Sequence, residues 1–176
     1  MGTNLYDIPV EKIDGSAATL DEHRGKVLLV VNVASKCGLT PQYEALEKLH
    51  ETYSGKNFSV LGFPANDFAG QEPGSNDEIL DFCKTRYQVQ FPLYSKIVVT
   101  GQDKHALYRH LTSEQPETED REKMESVLRG YKMEPTPKPE VLWNFEKFLI
   151  SRDGKVARRF APDTTPERRG FYWISF

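Results

Sequence analysis

The sequence predicts an α/β fold, a central mixed β-sheet with helices on its faces. Three observations predict it. Two nearly unbroken apolar runs, Lys26 to Ala34 (KVLLVVNVA) and Phe58 to Phe63 (FSVLGF), read as strands covered on both sides. Each is followed by a helix-start signal and apolar residues at helical spacing. Near the end, Leu142 to Ile150 and Val156 to Phe160 flank Arg152-Asp153-Gly154-Lys155, a strong hairpin signal.

Taken in order, the chain opens with a predicted strand pair, Tyr6 to Ile13 and about Ala18 to Leu20, turned at Asp14-Gly15. After the first buried run, Thr40 is the expected N-cap of a helix with Pro41 at its first position and an end near Tyr53. Tyr43, Leu46, Leu49 and Tyr53 share one face of it. Beyond the second buried run, a loop from Pro64 to Gly74 leads into Ser75-Asn76-Asp77-Glu78, a capping box. The helix it opens carries Ile79, Phe82, Cys83 and Tyr87 on one face. His105 to Leu111 reads as a further helix. Gln115 to Glu140 is rich in charge, with three prolines near its end. The order β-α-β-α, then helix and hairpin, is the thioredoxin arrangement.

The length of 176 residues fits one domain with a substantial core. Residues 1–176 are therefore expected to form a single unit, with a charge-rich insertion at about 114–140 and an atypical tail at 168–176. Net charge is −3, and the two signs are mixed along the chain. That excludes the basic stripe a nucleic acid or an anionic membrane requires. Met1 to Leu20 lacks the apolar stretch of a signal peptide, and Val27 to Val33 is too short to span a bilayer. The expected location is cytoplasmic, with no membrane anchor. The two cysteines form no Cys-x-x-Cys pair, and the four histidines show no metal-ligand spacing with them. No metal or other cofactor is expected.

Cys37 follows the first buried strand and precedes the predicted helix cap by three residues. Ligands bind at the carboxyl ends of strands in open α/β sheets. A helix start offers free N–H groups and partial positive charge, which draw a thiol below its free pKa of about 8.5. Lys36 adds to this if its side chain reaches the sulfur. Free cysteines are often small buried hydrophobes, but Ser35, Lys36 and Gly38 make this a polar loop. Cys37 is the candidate nucleophile.

Three stretches resemble the glutathione peroxidase family. VNVASKCGLT (Val31 to Thr40) closely resembles its peroxidatic motif. GFPANDFAGQEPGSNDEI (Gly62 to Ile79) and WNFEKFLISRDGKV (Trp143 to Val156) resemble its second and third motifs, in family order. The likeness runs from about Tyr6 to Thr165. It implies a thioredoxin-like fold and reduction of hydrogen peroxide or organic hydroperoxides, with Cys37 at the peroxidatic position. The family surrounds that residue with a glutamine, a tryptophan and an asparagine, and Trp143 and Asn144 match the last two. Both side chains carry N–H donors able to stabilise a thiolate and polarise a peroxide. By this matching the glutamine position holds Asp67, whose ionised carboxylate only accepts hydrogen bonds.

Oxidation of Cys37 by a peroxide gives a sulfenic acid that has to be recycled. By the same resemblance, members that use thioredoxin carry a resolving cysteine in the helix before a Phe-Pro pair. Cys83 followed by Phe91-Pro92 matches that pattern. Cys83 also lies on an apolar helix face, and simple packing is the alternative reading. The expected reductant is thioredoxin or glutathione. A peroxide sensor that passes its disulfide to a partner protein shares the first step. Outside the motifs, Met124, Val127, Leu128 and Tyr131 line up as a helical face, for docking or merely solvated. Phe171, Tyr172, Trp173, Ile174 and Phe176 give the tail five large apolar side chains that either bury or associate.

Overall fold

The computed structural model describes residues 4–168 and 173–176. Its centre is β3 (Val27–Val33), after a small antiparallel pair formed by β1 (Val10–Glu11) and β2 (Ala17–Ala18). All seven residues of β3 are buried. Leu28 and Val30 enter one core, while Val27, Leu29, Val31 and Val33 enter another on the opposite side. This is the period-two alternation of a strand covered on both faces. Parallel to β3 runs β4 (Phe58–Pro64); on its other side β5 (Lys147–Ile150) lies antiparallel, and β6 (Val156–Phe160) completes the sheet in the order β4-β3-β5-β6.

Helix α1 (Gln42–Tyr53) covers one face with Tyr43, Leu46, Leu49 and Tyr53, and α2 (Asn76–Tyr87) adds Ile79 and Cys83 there. The predicted capping box is formed: the Ser75 hydroxyl accepts from the Glu78 N–H, and the Glu78 carboxylate accepts from the Ser75 N–H. On the opposite face α3 (Ala106–Glu114) packs Leu107, Tyr108 and Leu111. The predicted mixed α/β architecture is what the chain adopts.

Three local expectations are corrected. The opening strand is short, because the Asn4 side chain accepts from the Tyr6 N–H and starts a 3-10 turn over Leu5–Asp7. Thr40 does not cap α1. Pro41 holds the cap position in helical geometry, and the Thr40 hydroxyl is used within the Cys37 loop. Leu142 to Glu146 is not strand, since Asn32 pins it as a turn. Its side-chain N–H donates to the Trp143 carbonyl at 3.0 Å, and its own carbonyl accepts from the Phe145 N–H at 2.6 Å. Phe145 sits at φ +69 as a result.

The charge-rich insertion folds onto the sheet rather than away from it. Glu119 bridges Phe160 along the edge of β6, and the Arg158 guanidinium clasps its carboxylate. Such cover protects an otherwise open strand edge. Helix α4 (Arg121–Gly130) turns Met124 and Leu128 inward, leaving Val127 and Tyr131 exposed, so the four residues do not present one outer face. In the tail, Trp173 is fully buried, donates to the Pro166 carbonyl and meets the Phe160 ring edge-on. Ile174 and Phe176 pack against the same core. Phe171 and Tyr172 lie outside the described residues.

Candidate active site

Where β3 ends, the loop carrying Cys37 is held by Thr40. Its hydroxyl donates to the Ala34 carbonyl at 2.8 Å and accepts from the Cys37 N–H at 3.0 Å, and its N–H donates to the Cys37 carbonyl. This clasp leaves the Cys37 side chain half-buried. The Leu39 N–H donates to the sulfur at 3.3 Å. The sulfur thus accepts one N–H and is still reached by solvent.

The second motif wraps back onto this loop. After β4 the chain turns tightly, with Ala69 at φ +55 and Gly70 at φ +60. The turn delivers Gln71 to the Cys37 loop, and its carbonyl accepts from the Lys36 N–H at 3.0 Å. The Gln71 side-chain oxygen accepts from the Asn144 amide at 2.9 Å. Gln71 therefore joins the residue before Cys37 to the Trp143–Asn144 turn. Asn144 is fully buried, its oxygen having no hydrogen-bond partner among the described residues. The half-buried Trp143 packs its ring against Phe68, with centroids 5.3 Å apart. It also shares a small apolar cluster with Leu39, Met133 and the α4 residues Met124 and Leu128. The insertion thus props one wall of the site.

Asp67 is not part of this arrangement. One of its oxygens accepts from the Val99 N–H, the Thr100 N–H and the Thr100 hydroxyl, at 2.9–3.1 Å. It is a structural cap, and the glutamine that meets Asn144 is Gln71, four residues further on. Sequence reasoning missed Gln71 although it stands in the same motif. Asp67→Ala is expected to cost about 1–3 kcal/mol of stability through the orphaned donors. Its thiol should react with peroxide at the unaltered rate, to be checked by thermal melting beside rapid-mixing kinetics.

Cys83 lies fully buried on α2, and both thiols are free. Burial pushes the Cys83 thiol up to about 11, against a smaller opposing pull from the Tyr43 hydroxyl. Of the residues on α2 only Ile79 and Cys83 are fully buried. Leu80, Phe82 and Tyr87 of the same helix also pack against that core, Phe82 and Tyr87 on the Tyr43 ring.

Comparison with known proteins follows the same lines. The family model described as glutathione peroxidase matches residues 5–112. The thioredoxin/glutathione peroxidase BtuE of Escherichia coli (strain K12) is 49% identical over 169 residues, covering 95% of this chain and 92% of that protein. The hydroperoxy fatty acid reductase gpx1 of Synechocystis sp. (strain ATCC 27184 / PCC 6803 / Kazusa) is 41% identical over 163 residues, covering 93% and 89% respectively. Among solved structures, Trgpx in apo form superposes with a TM-score of 0.71 at 36% identity, covering 98% of this chain and 95% of its own.

Proposed function

The chain belongs to the glutathione peroxidase family, and from that premise we propose that it reduces hydroperoxides through Cys37, as one peroxidase domain from end to end. The observation that carries the reading is the Gln71 bridge. One residue ties the nucleophile's loop to Asn144, in the turn that also carries Trp143. The Cys37 thiolate attacks one peroxide oxygen and the O–O bond breaks. The departing alkoxide takes a proton to leave as alcohol, and Cys37 is left as the sulfenic acid. Donors on Gln71, Trp143 and Asn144 stabilise the charge that moves from sulfur to oxygen. The half-buried apolar side chains of Leu39, Met133 and Trp143 favour an organic hydroperoxide with an apolar tail, in keeping with the fatty acid hydroperoxides in the name of the Synechocystis relative.

Cys83 then resolves the sulfenic acid. A disulfide needs Cα atoms within roughly 7 Å, and Cys83 starts on the buried face of α2, so the Pro64–Tyr87 region loosens during turnover. The disulfide product is a substrate for thioredoxin, which we take as the reductant over glutathione. No helix among the described residues is long and apolar enough to cross a membrane. Two free thiols suit the reducing cytoplasm.

The test is NADPH-coupled turnover of hydrogen peroxide and a fatty acid hydroperoxide, with thioredoxin and glutathione systems side by side. Cys83→Ser is expected to lose thioredoxin-driven turnover while Cys37 still consumes its first peroxide. Undiminished thioredoxin turnover in that variant would remove Cys83 from the cycle.

A further inference from the structure

Resolution by Cys83 raises a difficulty that the catalytic groups around Cys37 do not meet. The attacking sulfur starts as a buried thiol that its surroundings keep protonated, so its proton has to be taken up on the way to Cys37. Between the Cys37 loop and α2 lies a cleft of about 280 Å³, lined by Ser35, Lys36, Glu72, Pro73, Gly74, Glu78, Ile79 and Phe82. Ile79 and Phe82 flank Cys83 on α2, and Ser35 stands two residues before Cys37. The acid in this cleft is Glu72, only 1% exposed.

Glu72 is fixed by its backbone. Its N–H donates to the Asn66 side chain at 2.8 Å, and its carbonyl accepts from the Lys96 ammonium at 3.1 Å. The carboxyl faces the Ser35 hydroxyl and N–H, while Cys83 and Tyr43 both sense its charge. One buried oxygen of the Glu72 carboxyl, Oε2, has no hydrogen-bond partner among the described residues. Unpartnered polar atoms are costly in a protein interior. An unpartnered carboxylate oxygen beside the cleft that separates the Cys37 loop from α2 is placed to accept a proton.

Resting on the two-cysteine cycle above, we propose that the Glu72 carboxylate takes the thiol proton of Cys83 as that sulfur attacks the Cys37 sulfenic acid, and passes it to the departing hydroxide. The Cys83 S–H and Cys37 S–O bonds break and the S–S bond forms. Cys83 is oxidised, the sulfenic sulfur is reduced, and water leaves. Glu72 ends the step as it began, so no further reductant or base is consumed. The charges facing the carboxyl fit a proton acceptor. Lys36 and Lys96 favour its ionised form, and burial opposes them by a larger margin, so that its affinity for a proton is raised from the ordinary carboxylate value.

The experiment follows formation of the Cys37–Cys83 disulfide after one equivalent of hydrogen peroxide, across pH, separately from the earlier loss of the Cys37 thiolate. In the unaltered protein the rate of disulfide formation should level off once Glu72 is ionised. In Glu72→Gln it should fall by about 10²-fold or more near neutrality and climb with pH toward the thiol's own range. Loss of the Cys37 thiolate should be unchanged in that variant. Glu72→Asp, which keeps a carboxylate, should retain the levelling. A profile in the unaltered protein that climbs without a plateau overturns the proposal, as does disulfide formation in Glu72→Gln at the original rate and pH profile. Absence of any Cys37–Cys83 disulfide in the unaltered protein overturns the two-cysteine cycle itself.

Discussion

Cys37→Ser is expected to lower hydroperoxide turnover by at least about 10³-fold while the protein keeps its melting temperature. A serine hydroxyl near neutral pH is almost wholly unionised and is a poor nucleophile toward peroxide oxygen, whereas a thiolate is a good one. No second thiol substitutes, because Cys83 is buried under α1 and held protonated by its surroundings. The fold should be indifferent, since the sulfur is half-buried and its hydrogen bond from the Leu39 N–H is open to a hydroxyl as well. Turnover in the coupled assay, read beside a thermal melt, checks both halves. Activity within tenfold of the unaltered protein would mean that another group attacks the peroxide.

The second large effect concerns stability. Arg159 and Glu146 form an ion pair with both side chains wholly buried. The guanidinium also donates to the carbonyls of Gln115 and Glu140, and the carboxylate accepts from the Thr118 hydroxyl and the Leu142 N–H. This network fastens both ends of the insertion to β6 and to the turn that carries Trp143 and Asn144. Arg159→Met leaves the Glu146 charge buried without its counter-ion and is expected to cost about 3–5 kcal/mol. Replacing both partners, Arg159→Met with Glu146→Leu, should recover much of that loss, because the cost lies in the stranded charge more than in the missing attraction. Denaturant unfolding of the three proteins measures this. A loss below about 1 kcal/mol in Arg159→Met would show that the pair is not a structural anchor.

The parts of the fold legible in the sequence are those set by local rules. The β3 and β4 runs, the Ser75 capping box and the Asp153-Gly154 turn, with Gly154 at φ +85, all follow from neighbouring residues. Cys37, Trp143 and Asn144 were legible as candidates because their motifs stand in a recognisable order. What escaped depends on partners distant in sequence. Thr40 looks like a helix cap, yet its hydroxyl is engaged by Ala34 and Cys37. Leu142 to Glu146 has the apolar content of a strand, but Asn32 bends it. Asp67 and Gln71 share one loop, and the positive φ angles at Ala69 and Gly70 decide which of them faces Asn144. Nothing in the identities of the two side chains announces that turn. The burial of Trp173 was open for the same reason, since its pocket is assembled by Phe160 and the Pro166 carbonyl.

Chemical capture of the first intermediate bears most directly on what the molecule is for. Folded, reduced Cys83→Ser protein would be mixed with hydrogen peroxide near neutral pH, in the presence of a diketone that traps sulfenic acids, and digested for peptide mass analysis. A trapped adduct on the Val31–Thr40 segment at Cys37 is the predicted result. Recovery of that segment unmodified after excess peroxide, from protein whose fold is intact, would contradict it.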